Sequence, residues 1–254
     1  MALSGCGLFP DLTHLSGGSP GADGGPPDFD APFDSATVGD VNGRPGSPCS
    51  TPHDFCDDFD SSDNPIAKWT DQTVDAKGSI NTTANAQSSP RAVEMHMARR
   101  SADNPDAYAI ISKRFDGWRP MRVEYDMFLK QPSWQPDDVN AGFFHVDFVG
   151  TSPTTRDITI SVGSNYKSVG GSVQVPGHSP LPTDTWVHFR FDIDPLKGRV
   201  AALVGNDEVT GTWSAFAVPS SASTVVSIGV LGYNEPAPAF DVIYDNVTVD
   251  FTGP

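Results

Sequence analysis

Between residues 122 and 129 the sequence R-V-E-Y-D-M-F-L puts Val123, Tyr125, Met127 and Leu129 on one face of an extended chain, and Glu124, Asp126 and Phe128 on the other. The stretch 186–194, W-V-H-F-R-F-D-I-D, repeats the pattern: Val187, Phe189, Phe191 and Ile193 face one way, and His188, Arg190, Asp192 and Asp194 the other. Runs at 143–149, 157–162, 199–204, 224–231 and 242–251 predict further strands. Turn signals separate them: Gly150–Pro153, Gly170–Gly171, Pro176–Gly177, Lys197–Gly198 and Asn206–Asp207. Many short strands with this punctuation, and no repeat of solenoid or propeller length, predict an all-β antiparallel sandwich or jelly roll over residues 49–254.

Composition sharpens this picture. The 254 residues hold 24 Gly and 23 Pro, which disfavour long helices. Lys and Arg number 16 against 32 Asp and Glu, a net charge of −16. Nucleic-acid affinity depends on neutralising phosphates with basic side chains, so this balance argues against DNA or RNA as a partner. The acidic excess is mostly aspartate, which favours turns and caps over helix interiors.

Ahead of the strands lies a stretch of different character. Residues 7–48 mix Gly17–Gly18, Gly24–Pro27 and Pro45–Pro48 with Asp11, Asp23, Asp28, Asp30, Asp34 and Asp40, and their few Leu and Phe residues follow neither a helical nor a strand period. So little apolar surface does not offset the entropy of ordering, and the stretch reads as a disordered tether. Just before it, Leu3-Ser4-Gly5-Cys6 matches the lipobox of bacterial lipoproteins, whose cysteine thiol receives a diacylglycerol. Residues 1–6 then read as the remnant of a lipoprotein signal, whose charged and apolar regions have to lie upstream of the recorded start. That places the domain at a bacterial cell envelope, extracytoplasmic, with lipid as its only membrane attachment, because no run approaches the ~18 apolar residues of a span. Cys49 and Cys56 flank a short Pro-containing loop where the structured sequence begins; in an exported chain they read most simply as a disulfide, with a metal site through His53 as the lesser alternative.

Several of these elements together carry a resemblance. C-D-D-F-D at 56–60, Trp69, the strand T-W-V-H-F-R-F-D-I-D, the hairpin G-R-V-A-A-L-V-G-N-D-E-V and the closing I-Y-D-N-V-T-V resemble the concanavalin A-like lectin/glucanase superfamily, in its laminin G-like form, over residues 56–254. Joined to a lipobox and an Asp-rich tether, they are also similar to surface lipoproteins of delta-type bacteria. The resemblance implies either a carbohydrate- or protein-binding module or a glycan-cleaving enzyme.

The sequence departs from the enzymes. Glucanases of the superfamily carry a pattern like E-x-D-x-x-E on one strand, which sets two carboxyls ~5–5.5 Å apart. Here Glu208 and Glu235 form the nearest glutamate pair, and Glu124-Tyr125-Asp126 has no second glutamate after it. The lyases use Arg, His, Gln and Tyr clusters, which only F-H-V-D around His145 suggests. A non-catalytic, lectin-like module on a surface lipoprotein is therefore the first reading, a glycosidase or lyase the second, and an adhesion protein with a protein partner the third.

For the binding module, strands at 122, 143 and 186 sharing one sheet would present Glu124, Asp126, His145, Asp147, His188 and Arg190 on one surface for a glycan. Trp118, Trp134 and Tyr166 lie near turns and suit stacking on sugar rings, whereas Trp186 reads as core. In the jelly rolls that this chain resembles, the first and last strands lie side by side and their aspartates bind structural calcium. The matching positions are Asp60 and Asp245, helped by Asp58. Backbone N–H groups at the sheet edge are the alternative partners for these carboxylates.

Overall fold

The computed structural model describes residues 47–61, 64–75, 77–98, 107–130, 141–149, 159–163, 182–212, 222–232 and 239–252. Thirteen strands are present among them: β1 (Phe55–Asp57), β2 (Asp71–Val74), β3 (Gly78–Thr83), β4 (Ala92–Met97), β5 (Ala107–Asp116), β6 (Met121–Leu129), β7 (Ala141–Val149), β8 (Thr159–Gly163), β9 (Trp186–Asp194), β10 (Arg199–Val204), β11 (Asp207–Thr212), β12 (Ser223–Gly232) and β13 (Phe240–Phe251). Every strand predicted from alternation is there. Strands β2 to β5 lie outside that reading, while β11 completes the hairpin that begins at Gly198 and β1 is the first strand that the resemblance sets beside the last.

All pairings are antiparallel and build two sheets. The larger, eight-stranded sheet runs β11-β10-β9-β6-β13-β4-β3, with β1 also on β13; the five-stranded sheet runs β2-β5-β12-β7-β8. The alternating apolar residues explain why they pack face to face. From β6 come Val123, Tyr125, Met127 and Leu129, and from β9 Val187, Phe189, Phe191 and Ile193, all buried. They meet Phe144, Val146 and Phe148 of β7 and Val226, Ile228 and Val230 of β12. At the centre Tyr125 stacks on Phe189 with ring centroids 4.9 Å apart, and Phe144 stacks on Phe191 at 4.5 Å, one ring from each sheet. Each such buried side chain contributes roughly 1.5–3 kcal/mol relative to exposure. The Tyr244 hydroxyl ties the layers, lying 2.7 Å from the carbonyls of both Phe143 and Gly229 and sharing its one proton between them. Gly229 has φ 147°, and a Cβ there would sit 2.2 Å from the Ala109 carbonyl oxygen, so β5 and β12 approach this closely only over a glycine.

The entry to the domain is fastened to its last strand. Cys49 and Cys56 form the expected disulfide, with Sγ atoms 2.01 Å apart. Strand β1 pairs with β13 in the register Phe55 to Val249 and Asp57 to Val247. Outside the ladder, His53 Nδ1 lies 2.9 Å from Asp250 Oδ2, and the Phe251 N–H donates to Asp54. Trp69 packs edge-on against Phe55 and donates its indole N–H to the buried Asp57 carboxylate at 2.8 Å.

Candidate functional site

The residues expected on a single surface are divided between two. Strands β6 and β9 are neighbours in the eight-stranded sheet, but β7 belongs to the five-stranded one. Glu124, Asp126, His188 and Arg190 therefore lie on the outer face of one sheet, and His145 and Asp147 on the outer face of the other. Period-2 alternation assigns a residue to a face of its own strand; which sheet that strand joins is decided by long-range pairing.

The first group forms an ion-pair lattice. His188 sits between two carboxylates, with Nδ1 2.9 Å from Asp126 and Nε2 3.3 Å from Glu124. Desolvation lowers its pKa, but the hydrogen bonds and charges of Asp126 and Glu124 together outweigh this and raise it to about 9. Arg122 and Arg190 both pair with Asp192, at 2.7 and 3.2 Å. Asp126 also accepts from the Asn246 amide at 2.8 Å, and Asn246, at φ 56°, marks a bulge where β13 shifts register against β6. These groups mostly satisfy one another, as a solvated charged sheet face does.

The proposed calcium ligands hold backbone instead. Asp60 accepts from the Arg91 N–H at 2.8 Å, and Asp245 from the N–H groups of Ser88 and Asn246 at 2.7 and 2.8 Å, so the two aspartates hold the second half of the segment between β3 and β4. Asp58 takes the Ser47 hydroxyl and the Asp60 N–H. These three carboxylates do not converge, and among the described residues no three His, Cys, Asp or Glu side chains are arranged to hold a metal. Calcium needs ~6–8 oxygens around one point, so the donor set as placed does not fit it. Burial, opposed by the hydrogen bonds from Ser88 and Asn246, raises the Asp245 pKa to about 7.

The second group lies in a groove. A depression of ≈ 590 Å³ crosses the outer face of the five-stranded sheet. Strand β5 contributes Tyr108, Ile110, Ser112 and Arg114; β7 gives His145, Asp147 and Val149; β12 gives Val225 and Ser227; Thr70, Asp71 and Thr73 line the β2 side. Registry orders these side chains in rows across the sheet. One row runs Asp71, Ser112, Ser227, His145, and the next Arg114, Val225, Asp147. The Ser112 and Ser227 hydroxyls are hydrogen-bonded at 2.9 Å, and Arg114 donates from Nη1 to Ser223 Oγ at 2.8 Å. His145 is 7 % exposed, and its Nε2 has no partner among the described residues. Burial pulls this imidazole down to about 4, so it is neutral at ordinary pH.

The aromatic expectations fare differently from one another. Trp118 is core: it packs edge-on against Phe148 and donates its indole N–H to the Ser223 carbonyl. Its position beside a turn predicts exposure, but that turn folds back over the sandwich. Trp186 is the reverse case, half-buried on the outer face against Phe128, with ring centroids 5.5 Å apart. Trp134, Tyr166 and Cys6 lie outside the described residues. Sequence reasoning missed Asp71, Tyr108, Ser112, Arg114 and Ser227; the mixed run A-Y-A-I-I-S-K-R-F-D was the available signal for β5.

No protein-family model matches the chain, and no curated protein matches it in sequence. Its fold does have relatives among solved structures. An endo-β-1,4-glucuronan lyase from the fungus Trichoderma reesei superposes with a TM-score of 0.60 at 12 % identity, over 79 % of this chain and 96 % of that one. The fold is the concanavalin A-like jelly roll. A cellulose-induced protein, Cip1, matches this jelly roll with a TM-score of 0.55 at 13 % identity, over 78 % of this chain and 97 % of its own. A Bacteroides ovatus GH16 protein solved with a mixed-linkage glucan product matches with a TM-score of 0.53 at 10 % identity, over 77 % and 99 % of the two chains.

Proposed function

We propose that the chain is a glycan-binding jelly roll whose site is the groove across the five-stranded sheet, and that it binds without cleaving. One observation carries this reading: the groove floor is a row of hydroxyl and imidazole side chains, and its two described carboxylates are too far apart to act as a glycosidase pair. Sugars offer hydroxyls that both donate and accept, which the Ser112 and Ser227 hydroxyls can meet. Asp71 and Asp147 stand three strands apart, about 14 Å at ~4.8 Å per strand. Retaining and inverting glycosidases hold their two carboxyls about 5–5.5 and 6.5–9.5 Å apart. Glucan- and uronan-directed proteins among the structural relatives agree with a carbohydrate ligand. A glycan array followed by a reducing-sugar assay on every hit tests the proposal: binding without turnover supports it, turnover replaces it with an enzyme, and silence on the array leaves an adhesive or structural role.

A lyase is the second reading, favoured by His145. A neutral imidazole in a groove is the form needed to abstract a proton α to a uronate carboxylate. Tyr108, the one tyrosine among the described lining residues, lies two strands and four residues along from His145, about 16 Å away, so the two do not form an acid–base pair across one sugar. Release of unsaturated uronate ends from a polyuronate, abolished in His145→Ala, would establish the lyase.

Lipid anchoring at a bacterial envelope belongs to the same proposal, supported by Leu3-Ser4-Gly5-Cys6 and the Gly/Pro/Asp-rich residues 7–48. Incorporation of labelled palmitate that Cys6→Ser abolishes is the test.

A further inference from the structure

Registry gives the groove a direction and a width. One complete row of lining side chains runs Asp71, Ser112, Ser227, His145 across β2, β5, β12 and β7. A second lies beside it: Thr70, whose hydroxyl accepts the Arg114 backbone N–H at 3.1 Å, then Arg114, Val225 and Asp147. On β12 only Val225 and Ser227 line the groove among the described residues. The next outward positions along that strand are Ser223, whose hydroxyl and carbonyl are taken by Arg114 and Trp118, and Gly229, which has no side chain to offer. The groove therefore has a waist on β12 two side chains wide, about 7 Å at ~3.4 Å per residue. A ligand that uses both halves of the groove passes this waist by crossing the strands.

Crossing the strands imposes a repeat. From β2 to β7 the rows cover three strand spacings, about 14 Å at ~4.8 Å each. A polysaccharide linked through equatorial bonds at opposite ends of each ring, as in a β-1,4-glucan, runs straight and advances about 5 Å per sugar, nearly one strand spacing. Successive sugars then fall over successive strands, and the chain stays in the groove along its whole length. At the centre it passes the Ser112 and Ser227 hydroxyls, which are 2.9 Å apart. Linkage through an axial bond, or through C1 and C3, turns each sugar against the last. Such a chain coils, and after one or two sugars it departs from a channel only two side chains wide.

We infer that the groove takes one straight, equatorially 1,4-linked chain laid across the strands, one sugar to a strand, three or four sugars at a time. This rests on the glycan-binding reading above and deepens it by naming the linkage class. The full chain is run in native gels cast with straight 1,4-linked polymers (hydroxyethylcellulose, glucomannan, xylan, polyglucuronate) and, separately, with coiled ones (amylose, laminarin, β-1,4-galactan). Retardation by at least one straight polymer and by no coiled one is the expected result. Retardation by a coiled polymer, alone or beside a straight one, overturns the inference and leaves glycan binding standing; retardation by nothing overturns glycan binding itself. Two further measurements test the fit. In calorimetric titrations with oligosaccharides of the retarding polymer, affinity rises at least about tenfold from the dimer to the tetramer and then changes by less than about twofold to the hexamer. A plateau at the dimer, or a continued rise beyond the tetramer, overturns the match of one sugar to one strand. Val225→Phe fills the waist and weakens tetramer binding at least about tenfold at an unchanged melting temperature, and Val225→Met is the smaller substitution if the ring unsettles the fold. Unchanged affinity in a folded variant means that the ligand runs along β5 instead, and overturns the crossing.

Discussion

Replacing Asp245 by Asn should change how stability depends on pH, by an amount that its surroundings set. Asp245 is fully buried at the β13 bulge, opposite Asp126 in the ladder, with His188 and Glu124 beyond. Its folded pKa is raised from 3.8 to about 7. A carboxyl whose pKa is raised on folding favours the folded state while protonated, so its contribution is present below the unfolded value and lost as pH rises through the folded one. At 1.36 kcal/mol per pKa unit, the loss between pH 4 and pH 8 is about 4 kcal/mol. Asn does not ionise and keeps an acceptor for only one of the Ser88 and Asn246 N–H groups, which use different carboxylate oxygens; that loss is the same at every pH and leaves the pH dependence untouched. Urea unfolding, followed by the fluorescence of the buried Trp69 and Trp118, gives the stability of both proteins at pH 4, 6 and 8, and the difference between them cancels the other titrating groups. The variant gains on the wild type by about 4 kcal/mol across this window, nearly all of it between pH 4 and 7.5. A difference that stays constant from pH 4 to 8 would refute the reasoning, because Asp245 would then ionise in the folded protein much as it does in the unfolded chain.

His188 predicts an alkaline limb: with its folded pKa raised to about 9, its stabilisation is complete below pH 6.5 and disappears as pH rises through 9, and His188→Gln should remove roughly 3 kcal/mol of this dependence in the same unfolding assay. Gly229→Ala, which drives a Cβ into the Ala109 carbonyl, should cost about 3 kcal/mol or more in chemical denaturation. Tyr244→Phe leaves two interior carbonyls without their donor, and the unfolding midpoint should fall by the equivalent of about 1–3 kcal/mol. Adding calcium or a chelator should not move the melting temperature, since Asp60 and Asp245 are committed to the Arg91, Ser88 and Asn246 N–H groups; a rise that tracks free calcium would show a site at these residues after all.

Strands β6 and β9 were legible because each buries one face completely and exposes the other, so their alternation is clean. Strand β5 was not. It turns Lys113 inward over the Phe55 ring and Ile110 outward into the groove, because a long lysine stem packs against an aromatic and a groove floor tolerates an aliphatic. Strands β2 and β3 are edges with little apolar content, and β4 spells its buried stripe partly with Met95 and Met97, which carry weak strand preference. For the site, the sequence names His145 and Asp147 but groups them with the wrong partners, since sheet membership depends on pairings more than 80 residues apart, such as Ser227 with Ser112. The groove's hydroxyls leave no signal, because serine and threonine are common everywhere on a β protein's surface.

The way the domain begins has a mechanical consequence. A pull applied from the amino-terminal side reaches Cys49 and crosses the disulfide directly to Cys56, so residues 50–55 carry no load while the bond is intact. Force therefore enters in the middle of β1, past the Phe55–Val249 pair. Reducing the disulfide shifts the point of attack to the 3-10 turn at Pro48–Ser50 and to His53 and Asp54, whose contacts with Asp250 and Phe251 would be drawn away one after another. The bond thus decides whether a pull meets the β1 ladder at Cys56 or has first to strip the contacts of His53 and Asp54.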